Sequence, residues 1–77
     1  MTNTEKKGII LDALQKAIKL VENCEKPYSD RACDKFVQKV CEMTNECQGD
    51  KDLERVVYFI ISPTFDYLCK MTEGERR

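Results

Sequence analysis

Cys24, Cys33, Cys41, Cys47 and Cys69 are the residues of this 77-residue chain with the most chemistry open to them, and no histidine accompanies them. A thiolate can hold a metal, attack a substrate or pair with a second sulfur, and each use needs different surroundings. The gaps are eight residues from Cys24 to Cys33, seven to Cys41, five to Cys47 and 21 to Cys69. No Cys-x-x-Cys pair occurs and no histidine completes a ligand set, so the expectation is no metal and no cofactor. A catalytic thiolate needs a base or a positive neighbour to lower its pKa, and without histidine that task falls to lysine or a helix terminus. The 14 acidic residues are spread over polar faces and single out no carboxylate pair for acid–base work. The chain is therefore expected not to be an enzyme.

Two uses of the cysteines remain. In one they are small hydrophobes on apolar helix faces. In the other they form a disulfide framework, where two bridges drawn from five cysteines allow fifteen arrangements. Cys24 closes the first helix and Cys33 opens the second, so a bridge across the Pro27 hairpin is easy. Cys41 and Cys47 would stand about 9 Å apart on an unbroken helix, too far to bridge. They pair only if the helix ends near Met43 and the chain turns through Thr44-Asn45-Glu46. Cys69 is then left over, as an unbridged thiol or as the link in a homodimer. Each intramolecular bridge would contribute roughly 2–4 kcal/mol. That matters because a core of fewer than about 70–80 residues rarely leaves more than roughly 3–5 kcal/mol of net stability.

Cysteine content of this kind points to an oxidising compartment, and secretion is the expectation. The opening Met1-Thr2-Asn3-Thr4-Glu5 shows no apolar signal region, which keeps a cytoplasmic location as the alternative. Thirteen basic against 14 acidic side chains give a net charge of −1, with 42% hydrophobic and 35% charged residues. That balance argues against nucleic-acid binding and against disorder. No stretch approaches the roughly 18 apolar residues that a membrane span needs. One helical domain over residues 1–77 is expected, with flexible ends about 1–5 and 73–77.

The elements that must carry the cysteines are helices. At 100° per residue, Ile9, Ile10, Leu11, Ala13, Leu14, Ala17, Ile18, Leu20, Val21 and Cys24 fill an arc of about 200°. One packed side needs little more than about 100°, so this helix is flanked twice or presents spare apolar surface. Thr4 followed by Lys7 is its weak start, and Pro27 ends it near Lys26. Ser29 or Asp30 caps a second helix to about Asn45, with Cys33, Phe36, Val37, Val40, Cys41 and Thr44 on one face. Gln48-Gly49-Asp50 is a turn, and Asp50 or Asp52 caps a third helix.

Val56-Val57-Tyr58-Phe59-Ile60-Ile61 reads in isolation as a buried strand. The wider spacing of Leu53, Val56, Val57, Ile60, Ile61 and Thr64 is helical, and a lone strand would have no partner. Ser62-Pro63 suits the start of a new helix, with Phe65, Leu68 and Cys69 inward and Gly74 as its stop. Glu75-Arg76-Arg77 reads as a tail. The expected fold is a small all-α, four-helix, disulfide-stabilised bundle, with three longer helices and a short C-terminal one.

From Asp34 to Met71 the chain resembles the second half of a saposin-like domain. The resemblance rests on Phe36-Val37-Gln38-Lys39-Val40-Cys41, then Cys47, the helix about Val56 to Ile61, and Ser62-Pro63-Thr64-Phe65-Asp66-Tyr67-Leu68-Cys69. Leu11 to Val21 would correspond to the first helix of that family. The resemblance implies a bridge across the central hairpin, between Cys41 and Cys47, and a Cys69 without its usual partner. The family's two cysteines at the start of helix one and the one closing its last helix are absent here. The five-residue gap between Cys41 and Cys47 is short for the family, and Cys24 and Cys33 are additional. Such proteins bind or perturb lipids by opening apolar helix faces, or present lipids to enzymes.

Interaction surfaces follow from the helix faces. Tyr58 and Phe59 point away from the stripe of the third helix, and with the wide arc of the first they could form an exposed patch. Lys16 and Lys19 flank the apolar face of the first helix, as on a membrane-surface helix, although Asp12 and Glu22 dilute that charge. The expected function is a small secreted binding protein that engages lipid or a membrane surface. The alternatives are a secreted effector or toxin-like protein binding a protein receptor, and an intracellular interaction domain with reduced, buried cysteines.

Overall fold

Three residues with short oxygen-bearing side chains set where the helices begin. The Thr2 hydroxyl accepts the Glu5 backbone N–H at 3.1 Å and opens α1, Asn3–Asn23. The Ser29 hydroxyl accepts from Ala32 at 3.2 Å and opens α2, Asp30–Glu46. The Asp50 carboxylate accepts from Leu53 at 3.1 Å at the head of α3, Lys51–Arg76. Each oxygen satisfies a donor that helix geometry leaves unpaired. The computed structural model describes the backbone of residues 1–76 and the side chains of residues 1–73.

The fold is all-α, and Val56–Ile61 is helical, as its periodicity predicts. Both ends of α1 differ from the sequence expectation. Helix α1 starts from Thr2 instead of Thr4 and stops at Asn23, ahead of Lys26. Helix α2 ends at Glu46, as expected within a residue. The Ser62-Pro63 break and the short fourth helix do not form, because α3 continues through Pro63 and through Gly74 to Arg76. Of the expected tail, Arg77 lies outside the described residues.

Pro63 is tolerated because of where it points. A proline inside a helix removes one N–H and crowds the carbonyl four residues back, here that of Phe59. Pro63 and Phe59 are both exposed, so water can reach the carbonyl that loses its partner. On the next turn the Thr64 hydroxyl donates to the Ile60 carbonyl at 2.9 Å.

The helices run up, down and up. Lys6 near the start of α1 pairs with Asp50 at the head of α3 at 3.4 Å, so these two ends lie together. The rings of Phe36, early in α2, and Phe65, late in α3, stack at 4.3 Å and 8°. Between α2 and α3 the chain reverses through Gln48 and Gly49, with φ of 53° and 86°. Glycine adopts that left-handed conformation without steric cost, and Gln48 takes the strained half of the turn. Ala13, Met43, Cys47, Leu53, Val57 and Ile61 form the core, flanked by Ile9, Ile10, Leu20, Phe36 and Ile60. Helix α1 lies chiefly along α3 and touches α2 little. The molecule is 47 × 18 × 16 Å.

No disulfide joins the cysteines among the described residues, so the expected stapling of Cys24 to Cys33 and of Cys41 to Cys47 is not present in this structure. For the second pair the reason is geometric. The helix that had to end near Met43 continues to Glu46, leaving Cys41 exposed while Cys47 is buried. The Cys47 thiol donates to the Met43 carbonyl at 3.3 Å, a local contact inside the core. It packs as the small hydrophobe of the first reading.

Candidate functional site

The slight contact between α1 and α2 leaves a groove at the end of the bundle where α1 finishes and α2 starts. Its volume is about 540 Å³, within the range of small-ligand sites. Leu20 from α1, Cys24 just past its end, and Ala32 and Phe36 from α2 supply half-buried apolar surface. Lys19, Lys26, Arg31, Lys35 and Lys39 supply five positive charges, and Glu25 is the single carboxylate among the lining residues. None of the five cations makes an ion pair among the described residues. In a chain of net charge −1 this is a strong local concentration of unneutralised charge.

Local structure explains the arrangement. Arg31, Lys35 and Lys39 stand four residues apart and so line one face of α2, with Ala32 and Phe36 on the adjoining strip. Pro27 is buried in the connecting segment, and the Ser29 hydroxyl donates to the Lys26 carbonyl at 2.8 Å. These contacts fix the end wall of the groove. Long lysine and arginine stems cover apolar surface while their charges stay in water, so rim and floor are compatible on one face. The arrangement can bind an anion attached to an apolar body.

The residues singled out in the sequence are dispersed. Cys24 lines the groove. Cys33 and Cys41 are exposed, and the Cys33 thiol points at the Pro27 carbonyl, 3.8 Å away. Cys69 is half-buried on α3. Burial pushes the Cys47 thiol pKa upward, and the carboxylates of Glu54, Asp50 and Glu46 add to the shift. It is held as a neutral thiol, the opposite of an activated nucleophile. Tyr58 and Phe59 are both solvent-facing, with Phe59 63% exposed and the rings edge-on at 5.9 Å. Lys16 is paired with Asp12 at 3.0 Å, while Lys19 turns into the groove.

Lys26, Arg31, Lys35 and Lys39 are the residues that sequence reasoning missed. For Arg31, Lys35 and Lys39 a signal was present as a four-residue spacing of cations along α2, but Asp30, Asp34 and Glu42 are interspersed with them in sequence. Only the fold separates Asp30, Asp34 and Glu42, which do not line the groove, from the cations that do.

Comparison with known protein families, curated proteins and solved structures returns no match. Among the described residues, no helix is long and apolar enough to cross a membrane.

Proposed function

We propose that this chain is a non-catalytic binding module for an anionic amphiphile, a single-chain lipid with a carboxylate or phosphate head. The observation that carries the reading is the ring of five unpaired cations around the half-buried surface of Leu20, Ala32 and Phe36. The head group takes the lysine and arginine rim, where charge-assisted hydrogen bonds are the strong ones. The acyl chain lies on the aromatic and aliphatic floor, where burial contributes roughly 25 cal/mol per Å² of apolar surface. The resemblance to saposin-like domains points to the same ligand chemistry. A secreted, disulfide-framed form rests on cysteine content, and intact mass before and after reduction tests it through a loss of four hydrogens for two bridges.

The direct test uses a fluorescent fatty acid, which suits a protein without tryptophan, and displacement by unlabelled oleate or by its neutral glycerol ester. Saturable binding of the anionic probe is expected, with oleate displacing it at least about tenfold better than the neutral ester, given the strength of charge-assisted contacts. The double variant Lys35→Glu/Lys39→Glu should lose about tenfold or more in affinity, and raising salt should weaken the wild type. No binding at probe concentrations near 100 μM (about −5.5 kcal/mol) would overturn the proposal. Equal displacement by both competitors, or capture of an acidic peptide instead of the lipid, would do the same.

A further inference from the structure

On the side of α1 turned away from the core, Leu11, Leu14, Ile18 and Val21 are each between 44% and 59% exposed. Their spacing of three, four and three residues is that of a coiled-coil seam, and it is separate from the inward set of Ile9, Ile10, Ala13 and Leu20. The inward residues account for one half of the wide apolar arc of α1, and this stripe is the other half. We infer that the stripe is the interface of a homodimer in which two α1 helices pair antiparallel. The pairing goes beyond the groove reading and is independent of it.

The sequence of the stripe reads as its own complement when reversed. About a two-fold axis midway between positions 14 and 18, Leu11 of one copy faces Val21 of the other and Leu14 faces Ile18. A two-fold interface requires that self-complementarity. Charge selects the same orientation. Lys7 lies on the line of the stripe at the N-terminal end, exposed and in no ion pair among the described residues. Glu22 is exposed at the other end. Antiparallel pairing sets each Lys7 near Glu22 of the second copy. Parallel pairing would set lysine against lysine and glutamate against glutamate, which is unfavourable. The strip from Lys7 to Val21 is about 20 Å long and one helix, roughly 10 Å, wide. That places the dimer below the 1,200 Å² or so at which stable interfaces begin, so it is a concentration-dependent dimer of micromolar affinity or weaker.

Sedimentation equilibrium under reducing conditions, with no lipid present, tests the inference without interference from disulfide-linked species. The wild-type chain should pass from monomer to dimer below about 300 μM, the range such small interfaces reach. Leu14→Glu and, as a second variant, Ile18→Glu should each weaken association at least tenfold with unchanged helical circular dichroism, since neither position is in the core. Lys7→Glu should weaken it less, and combining it with Glu22→Lys should restore it. A wild type that stays monomeric at that concentration overturns the inference, as does a dimer indifferent to both stripe variants. Restored charge without restored association would refute the antiparallel register. Stripe-dependent pelleting of a monomer with phospholipid vesicles would assign the face to a membrane and overturn the dimer.

Discussion

Replacing Pro63 with alanine should stabilise the protein, and the size of the effect follows from the surroundings of the ring. Pro63 is exposed in the middle of α3, so removing it forfeits little packing. The alanine N–H regains a partner in the Phe59 carbonyl, a bond with a net value of about 1 kcal/mol. The clash between ring and carbonyl is relieved as well, and the full preference for alanine over proline in a helix interior reaches about 3 kcal/mol. Against this, alanine restores unfolded-state freedom that proline suppressed, about 0.4–1 kcal/mol. The existing helix has already accommodated the ring, so the net gain should be about 1–2 kcal/mol. For a domain of this size that corresponds to a Tm increase of roughly 4–16 °C. Urea titration and thermal melts followed at 222 nm, under reducing conditions, measure both quantities. The denaturant slope should be unchanged, because the surface exposed on unfolding is the same. Unchanged or lowered stability would refute the reasoning. It would mean that the chain breaks at Ser62-Pro63 into two helices, where proline at the first helical position is favourable and alanine is not.

Thiol reactivity should separate the cysteines by burial. Cys33 and Cys41 should be modified first by a thiol reagent at pH 8, with Cys47 protected until the domain opens, because burial and three nearby carboxylates keep it protonated. Mass spectrometric mapping over time gives the order, and early labelling of Cys47 would contradict the packing of α2 against α3. Asp50 is held below the ordinary carboxyl range by the Leu53 backbone N–H first and the Lys6 ammonium second. A lowered folded-state pKa stabilises the protein above the unfolded value, near 3.8, and that contribution is lost as pH falls through the folded value. Asp50→Ala should therefore lower stability at neutral pH and flatten the acid side of the stability profile, read from urea midpoints between pH 2 and 6 or so. A parallel shift at every pH would argue against that linkage.

The parts of the fold that could be read from sequence are those fixed by local chemistry. Ser29 and Asp50 cap helices because their side chains reach donors three residues ahead, and neither contact depends on the rest of the molecule. The Val56–Ile61 segment could be read as helix because its period extends beyond the ambiguous six residues. Pro63 misled because its effect on a helix depends on which way the ring faces. A proline toward the core would have stranded a buried carbonyl, whereas one toward water did not. The pairing of the cysteines was not legible for a related reason. Whether Cys41 and Cys47 can meet depends on one extra turn of α2, and the end of that helix is set by the Gln48-Gly49 reversal and the packing of Met43 and Cys47.

The same distinction explains why the groove was invisible while three of its five cations were written plainly along α2. Arg31, Lys35 and Lys39 are interleaved with Asp34 and Glu42, and a count along the chain cancels them. Helical geometry sorts the signs onto different faces. The loose contact between α1 and α2 then adds Lys19 and Lys26 from across the gap. The looseness follows from α1 itself. Its inward face is committed to α3 through Ile9, Ile10 and Ala13, and Leu11, Leu14, Ile18 and Val21 are left facing water. A helix held along one side by α3 leaves a groove on its second side and an apolar seam on its third. The wide apolar arc of α1, which is too broad for a single packed face, is thus the sequence feature from which both the groove and the exposed stripe descend.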